Sequence, residues 1–554
     1  MESSALPQEI FLLLCEELAA RRDFGTLFNC SLVSRRIASV ALEQIYSIQE
    51  YSPVSTGDAI YKLEWLQLWR SIILSSIKKT AFPYCVYVRA LSLGNLEECL
   101  QDINRDKYSR DIFFGGAMRQ FLVLGKGHGL FKNTREVQLP PINIQDTIVK
   151  CADSITRYIK RLADDTGTAV SLAHLEGTYI PHDELPTWIA RLGTLTSLRI
   201  RDGSVLGVEA ASAIFECCPR FVDLTYSSST ADEDLAAFFQ TLRPNSLRSF
   251  EVISQNSIGE NALTALNYHA ASLRRLVLRN LTPQAMKALN SLPDCTFLET
   301  LLIENDRYNL VDAADYPEET LKEVSAWICK CKSLRDLSFS HFIGSDPVVK
   351  DILNSPDIRL TSLSLISIHS ETEAEDTATW TALGLQDRLE SLTLGLHELG
   401  YGHIAEAKPP LVDSICRLKN VASLNLMQVH LSEDTVERIA TSLPNLSEFS
   451  FSGNHLYNPI LIPLSAIPKL KLLCISSLSS FTFQGLRDFV FRLISRGRTG
   501  IKIDILNQLG ECKLTASESV LLQKHFMDLK GRLEIAYFMD PDELHETDFS
   551  DVSD

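Results

Sequence analysis

No stretch of this 554-residue chain approaches the roughly 18 consecutive apolar residues that a membrane-spanning helix needs. The first twenty residues carry acids and no basic segment ahead of an apolar one, so they do not read as a secretory leader. The thirteen cysteines are odd in number, scattered, and nowhere spaced Cys-x-x-Cys, which excludes a disulfide framework and a zinc ribbon. Free thiols fit a reducing compartment, the cytoplasm and/or the nucleus. Positive charge is also short: 53 Lys and Arg stand against 70 Asp and Glu, a net charge of −17. A broad nucleic-acid surface is therefore not expected, because phosphates must be met by cations.

Catalytic signatures are missing as well. The segment Gly125-Lys126-Gly127-His128-Gly129 has neither the Ser or Thr after its lysine nor the earlier glycine of a phosphate loop, and reads as a mobile loop. There is no Gly-x-Ser-x-Gly elbow, His-Glu-x-x-His helix or Gly-x-Gly-x-x-Gly turn. The pairs Cys217-Cys218 and Cys329-x-Cys331 read as small buried apolar side chains. The expectation is a protein that is not an enzyme and has no catalytic residues, no metal and no cofactor.

What is present begins at the N-terminus. Leu6-Pro7-Gln8-Glu9-Ile10 opens a dense apolar series through Phe11, Leu14, Leu18, Leu27, Val33 and Ile37. A segment this short cannot bury so many apolar side chains alone. Pro7 suits a helix start, and Glu9 in the first turn favours the dipole. The break at Arg21–Gly25 separates two helical stretches. The pattern Leu6-Pro7-x-Glu9-Ile10, a Leu-rich helix to Leu18, then Leu27-x-x-Cys30-x-x-Val33-Ser34-Arg35, resembles an F-box over roughly residues 4–47. Ile37 stands where that family usually carries Trp. The resemblance implies a helical trio that binds the S-phase kinase-associated adaptor protein and, through it, a cullin-RING ubiquitin ligase. The adaptor-contacting or module-shaping set it implies is Leu6, Pro7, Ile10, Leu14, Leu18, Leu27, Cys30, Val33 and Ile37.

From Leu195 a second pattern recurs: apolar, two variable, apolar, one variable, apolar. It runs from Leu195-x-x-Leu198-x-Ile200 to Leu470-x-x-Leu473-x-Ile475, with a further strand at Ile501-x-Ile503-x-Ile505. First positions step by 26, 26, 26, 25, 36, 26, 29, 32, 25 and 24 residues. This resembles a leucine-rich repeat, whose single unit cannot cover its own apolar edge and so stacks on its neighbours. The fold class that follows is α/β: a short helical module, then a solenoid with parallel strands on the concave side and helices on the convex side. The family's asparagine, three residues past the third apolar position, is mostly missing, so no asparagine ladder is expected.

The domain reading is 1–50 for the helical module, 51–194 for a linking and capping region with degenerate strands near Val88–Leu93 and Val137–Leu139, and 195–510 for the solenoid. A C-terminal cap at 511–539 and an acidic, disordered tail at 540–554 complete it. The variable strand positions place Arg199, Arg201, Arg275 and Arg279 on the concave face, a candidate surface for an acidic or phosphorylated protein substrate. Spacers 304–320 and 369–381 read as acidic surface loops. The function implied is a substrate-recognition adaptor of an SCF-type ligase. The alternative is a leucine-rich-repeat scaffold acting outside any ligase.

Overall fold

The computed structural model describes residues 7–21, 23–46, 59–125, 140–228, 231–254, 256–305, 311–368, 373–395, 406–508 and 512–538. Val137, Leu139, most of the Gly125–Gly129 segment and the acidic tail lie outside them. The chain divides into two compact units, 1–273 and 274–554.

The first unit opens with three helices, α1 (Gln8–Ala20), α2 (Phe24–Ser31) and α3 (Arg35–Tyr46). A long helix at Ala59–Ser76 follows, with Trp69 fully buried. Five strands then pair in parallel: β1 (Ala90–Ser92), β2 (His174–Gly177), β3 (Ser197–Asp202), β4 (Asp223–Ser228) and β5 (Ser249–Val252). Register aligns the second apolar position of each repeat, so Leu175, Leu198, Leu224 and Phe250 form one buried row. Each such side chain, fully withdrawn from water, contributes roughly 1.5–3 kcal/mol. The region expected to link and cap thus also supplies β1, at the degenerate Val88–Leu93 pattern, and β2, which the spacing rule does not reveal.

Neighbouring repeats are also tied by polar groups. The Asp232 carboxylate, in the first turn of helix Asp232–Thr241, accepts from the N–H groups of Gly259 (2.7 Å), Asn261 (3.0 Å) and Ala262 (3.0 Å). It therefore caps the next repeat's helix, Glu260–Leu266, whose first donors have no partner of their own. A Cβ at position 259 would lie 2.8 Å from the Asp232 carboxylate and would displace this cap.

In the second unit the same parallel pairing links β6 (Arg275–Arg279) and β7 (Thr300–Glu304) to later strands. A small pair, β8 (Val311–Asp312) and β10 (Phe342–Ile343), flanks β9 (Asp336–Ser340). Beyond β9 come β11 (Ser362–Ile366), β12 (Ser391–Gly395), β13 (Ser423–His430) and β14 (Glu448–Ser452). The series ends with β15 (Asn454–Tyr457), β16 (Leu472–Ser480), β17 (Lys502–Gln508) and β18 (Arg532–Phe538). One apolar row runs Leu276, Leu301, Leu337, Leu363, Leu392, Leu424, Phe449, Leu473, Ile503, Leu533. Helices join successive strands and pack on one another, so each unit is a two-layer α/β solenoid.

Three expectations change in detail. The position three past each third apolar residue is filled in four repeats by a buried apolar side chain, Leu281, Phe342, Ile368 or Val429, rather than by asparagine. The described part of spacer 304–320 forms β8 and the start of helix Glu318–Cys329, and the second spacer forms most of helix Glu373–Leu383. In the first of these helices Glu318 and Glu319 stand in the first turn, where negative charge favours a helix start. The cap at 511–539 is itself another repeat, helix Ala516–Asp528 followed by β18, with Thr515 and Glu518 forming a reciprocal capping box.

Candidate partner-docking site

The site begins with a helix that is apolar on two faces. In α1, Cys15, Leu18 and Ala19 face inward, where they meet Leu27, Val40 and Ala41 of the other two helices. Residues three and four apart share a helix face. Ile10, Leu13 and Leu14 fall on the other side, and all three are exposed. Pro7 caps the helix start from outside, and Glu9 sits in its first turn.

The second helix starts at Asp23, whose carboxylate accepts from the Thr26 N–H (3.0 Å) and hydroxyl (2.8 Å). Those two bonds, made to the ionised form, hold its pKa below the ordinary carboxylate value. Leu27 is fully buried and Cys30 half-buried against the cluster, while Phe28 points outward. Helix α2 closes with Leu32 N–H on the Asn29 carbonyl and Val33 N–H on that of Cys30. This turn leaves Leu32 and Val33 on the surface before Ser34 caps α3 through the Ile37 N–H (3.3 Å).

The far end of α3 fixes the trio to the rest of the first unit. Tyr46 is buried, stacks on Tyr84 at 4.8 Å and bonds the Ser71 hydroxyl at 2.8 Å. Burial raises its phenol pKa well above the ordinary value. Arg89 reaches Glu43 at 2.8 Å. One end of the module is therefore anchored, and six large apolar side chains elsewhere on it, Ile10, Leu13, Leu14, Phe28, Leu32 and Val33, remain 46–69% exposed.

The residues singled out from sequence sort into two groups. Leu18, Leu27 and Cys30 shape the module, and Ile37 is half-buried at the start of α3. Pro7, Ile10, Leu14 and Val33 face solvent. Leu6 lies outside the described residues. Leu13, Phe28 and Leu32 were not singled out. The helical spacing Ile10, Leu13, Leu14, against the inward set Phe11, Cys15, Leu18, carries the signal for the first of them.

The four arginines are divided between the two units. Arg199 and Arg201 are exposed on β3 in the first unit. Arg275 and Arg279 are half-buried on β6 in the second, where Arg279 Nε meets the Glu304 carboxylate at 2.8 Å. One cysteine of each pair is buried and its partner half-buried: Cys218 Sγ donates to the Leu192 carbonyl and Cys331 Sγ to that of Cys295, while Cys217 and Cys329 are partly exposed. Burial pushes the Cys218 thiol up to about 11 and that of Cys331 up to about 12, so both stay protonated at neutral pH. Among the described residues no helix is long and apolar enough to cross a membrane.

No protein-family model and no curated protein matches this sequence. Among solved structures, a chain of the yeast Rad7–Elc1 complex is similar at 16% identity over 59% of this chain and 88% of its own, with a TM-score of 0.40. A chain of the TLR13–ssRNA13 complex matches at 13% identity over 69% and 63%, TM-score 0.32. A chain of the mouse RP105/MD-1 complex matches at 12% identity over 66% and 72%, TM-score 0.28.

Proposed function

We propose that this chain is the substrate-recognition subunit of an SCF-type cullin-RING ubiquitin ligase. The trio α1–α3 docks on the S-phase kinase-associated adaptor protein, and the repeats hold the protein to be modified. The observation that carries the reading is the outward set Ile10, Leu13, Leu14, Phe28, Leu32 and Val33, on a module anchored at its other end. Apolar exposure concentrated on one small module marks an interaction site. The F-box-like order of residues around it supports the adaptor as its occupant. In this reading no residue of the chain performs chemistry. Its contribution is proximity: it raises the local concentration of a substrate lysine near the ubiquitin-charged enzyme.

The test is co-purification of the full chain with the adaptor. Leu6→Ala with Pro7→Ala, and separately Leu14→Asp with Val33→Asp, should abolish adaptor recovery while far-ultraviolet circular dichroism stays unchanged. Buried interface anchors cost about 2 kcal/mol or more each when removed, roughly a thirtyfold loss of affinity. Undiminished recovery in both variants would instead favour the scaffold reading, in which the module covers some other partner.

A further inference from the structure

Several charged side chains in the second unit answer one another: Arg279 meets Glu304, Lys332 meets Asp357 and Arg438 meets Asp413. A different arrangement brings several cations together. Along the edge where strands β13, β14, β16 and β17 begin, Glu390, Asn420, Asn445, Lys469, Lys471 and Arg498 line an open groove of about 660 Å³. Repetition builds it, since each turn grips the one before. Asn420 Nδ2 donates to the Asp387 carbonyl (2.7 Å) and Asn445 Nδ2 to that of Lys419 (3.0 Å), while Lys469 Nζ donates to Asn445 Oδ1 (2.7 Å). Arg498 donates to the Pro468 carbonyl through Nη1, and its Nε is buried with no acceptor among the described residues. Lys471 is exposed and has no side-chain partner among the described residues.

All three cations thus rest on neutral acceptors or on none, and a neutral carbonyl leaves the positive charge uncompensated. Only one carboxylate, that of Glu390, faces them in the lining. A concave surplus of positive charge focuses the field and draws negative ligands, here within a chain of net charge −17. We infer that this groove binds an acidic peptide segment of a protein partner, with Lys469, Lys471 and Arg498 meeting its carboxylates.

The shape favours a peptide over a lone anion. The groove follows successive turns, includes the apolar Leu470 and Ala422, and has the volume of a small-ligand site. Its cations are too few to neutralise a nucleic-acid backbone. The inference stands apart from the ligase reading, because its residues all belong to the second unit and the helical trio to the first.

Fluorescence anisotropy of the full chain with a fluorescein-labelled octaglutamate peptide tests it, with octaglutamine as the neutral control. Saturable binding to octaglutamate alone is expected, weakening as salt rises toward about 0.3 M. Lys469→Ala with Lys471→Ala should bind about tenfold more weakly, at roughly 0.7 kcal/mol for each exposed cation. Lys471→Glu, which breaks no hydrogen bond, should do at least as much without altering the fold. Equal affinity for octaglutamine overturns the inference. So does undiminished binding by Lys471→Glu, and so does a loss confined to Arg199→Ala with Arg201→Ala.

Discussion

In the repeats from Leu195 to Ile505, every residue at the three recurring apolar positions is at most 3% exposed, whereas Ile10, Leu13, Leu14, Phe28, Leu32 and Val33 of the N-terminal module stand in water. Both regions are rich in leucine, so composition does not separate them. Neighbours do. A repeat has a strand and helix on each side to receive its apolar edge, and a three-helix module has a small interior and one anchored end. The lesson is that an apolar pattern in excess of what its own neighbours can cover is left facing outward.

The largest effects should come from the repeat interior. Phe449 is fully buried, stacks on Phe451 at 4.6 Å and sits between Leu424 and Leu473 in the strand row. Phe449→Ala should remove about 3–5 kcal/mol of stability, read as an earlier denaturant midpoint. Leu27→Ala, in the interior of the trio, should cost about 2–4 kcal/mol and abolish adaptor recovery through unfolding of the module. A loss at Leu27 confined to binding, with the module intact, would break the division into shaping and contacting residues.

A second contrast concerns how adjacent repeats share backbone groups. In the first unit, buried His269 accepts from the Leu247 N–H at Nδ1 (3.4 Å) and donates from Nε2 to the Phe239 carbonyl (3.0 Å). In the second, buried Gln386 does the same work: its Oε1 accepts from the Leu360 N–H (3.0 Å) and its Nε2 donates to the Leu353 carbonyl (2.8 Å). An imidazole and an amide thus occupy equivalent bridges, each presenting one acceptor and one donor. His269→Ala should cost about 2–3 kcal/mol, because it strands two buried backbone groups. His269→Gln should recover most of that, and a thermal melt of the two variants separates the roles.

Only one of these bridges titrates. Burial lowers the pKa of His269 below its ordinary value, although the bond to Phe239 pulls the other way. The unfolded chain therefore takes up the proton first. Stability from this site is complete above about pH 6.5 and falls by about 1.4 kcal/mol per pH unit below it, until the folded value is reached. Melting of the wild type between pH 7 and 5 should show this decline, and His269→Gln should flatten that part of the curve.

Legibility in the sequence followed the same division. Strands such as β12 were readable because Leu389, Leu392 and Leu394 must all face one interior. β2 escaped because its third inward position is Gly177, which has no side chain to register in the pattern. β18 escaped because its leading apolar residue, Leu529, stands one residue too far from Leu533 for the pattern. The helix at Glu373–Leu383 was hidden by acids that read as loop but lie in its first turns. The basic groove could not be read at all, since its members sit in turns about one repeat apart and meet only when the repeats stack. On the trio, the inward residues were legible by spacing, and the outward ones only as a surplus.

That surplus makes the smallest stability change the most informative one. Leu32 and Val33 are the most exposed of the outward side chains, and both stand in the turn between α2 and α3, where their side chains lie outside the buried cluster. The backbone bonds of that turn, Leu32 N–H to Asn29 and Val33 N–H to Cys30, do not depend on side-chain identity. Leu32→Asn with Val33→Asn should therefore shift stability by no more than about 0.5 kcal/mol, as surface substitutions do. A module that merely caps the repeats would carry the same exposed pair with no consequence for any partner. A docking module would lose its adaptor while melting at an unchanged temperature. If the double variant instead melts several degrees lower, the pair is already covered within the chain and the outward surplus does not exist.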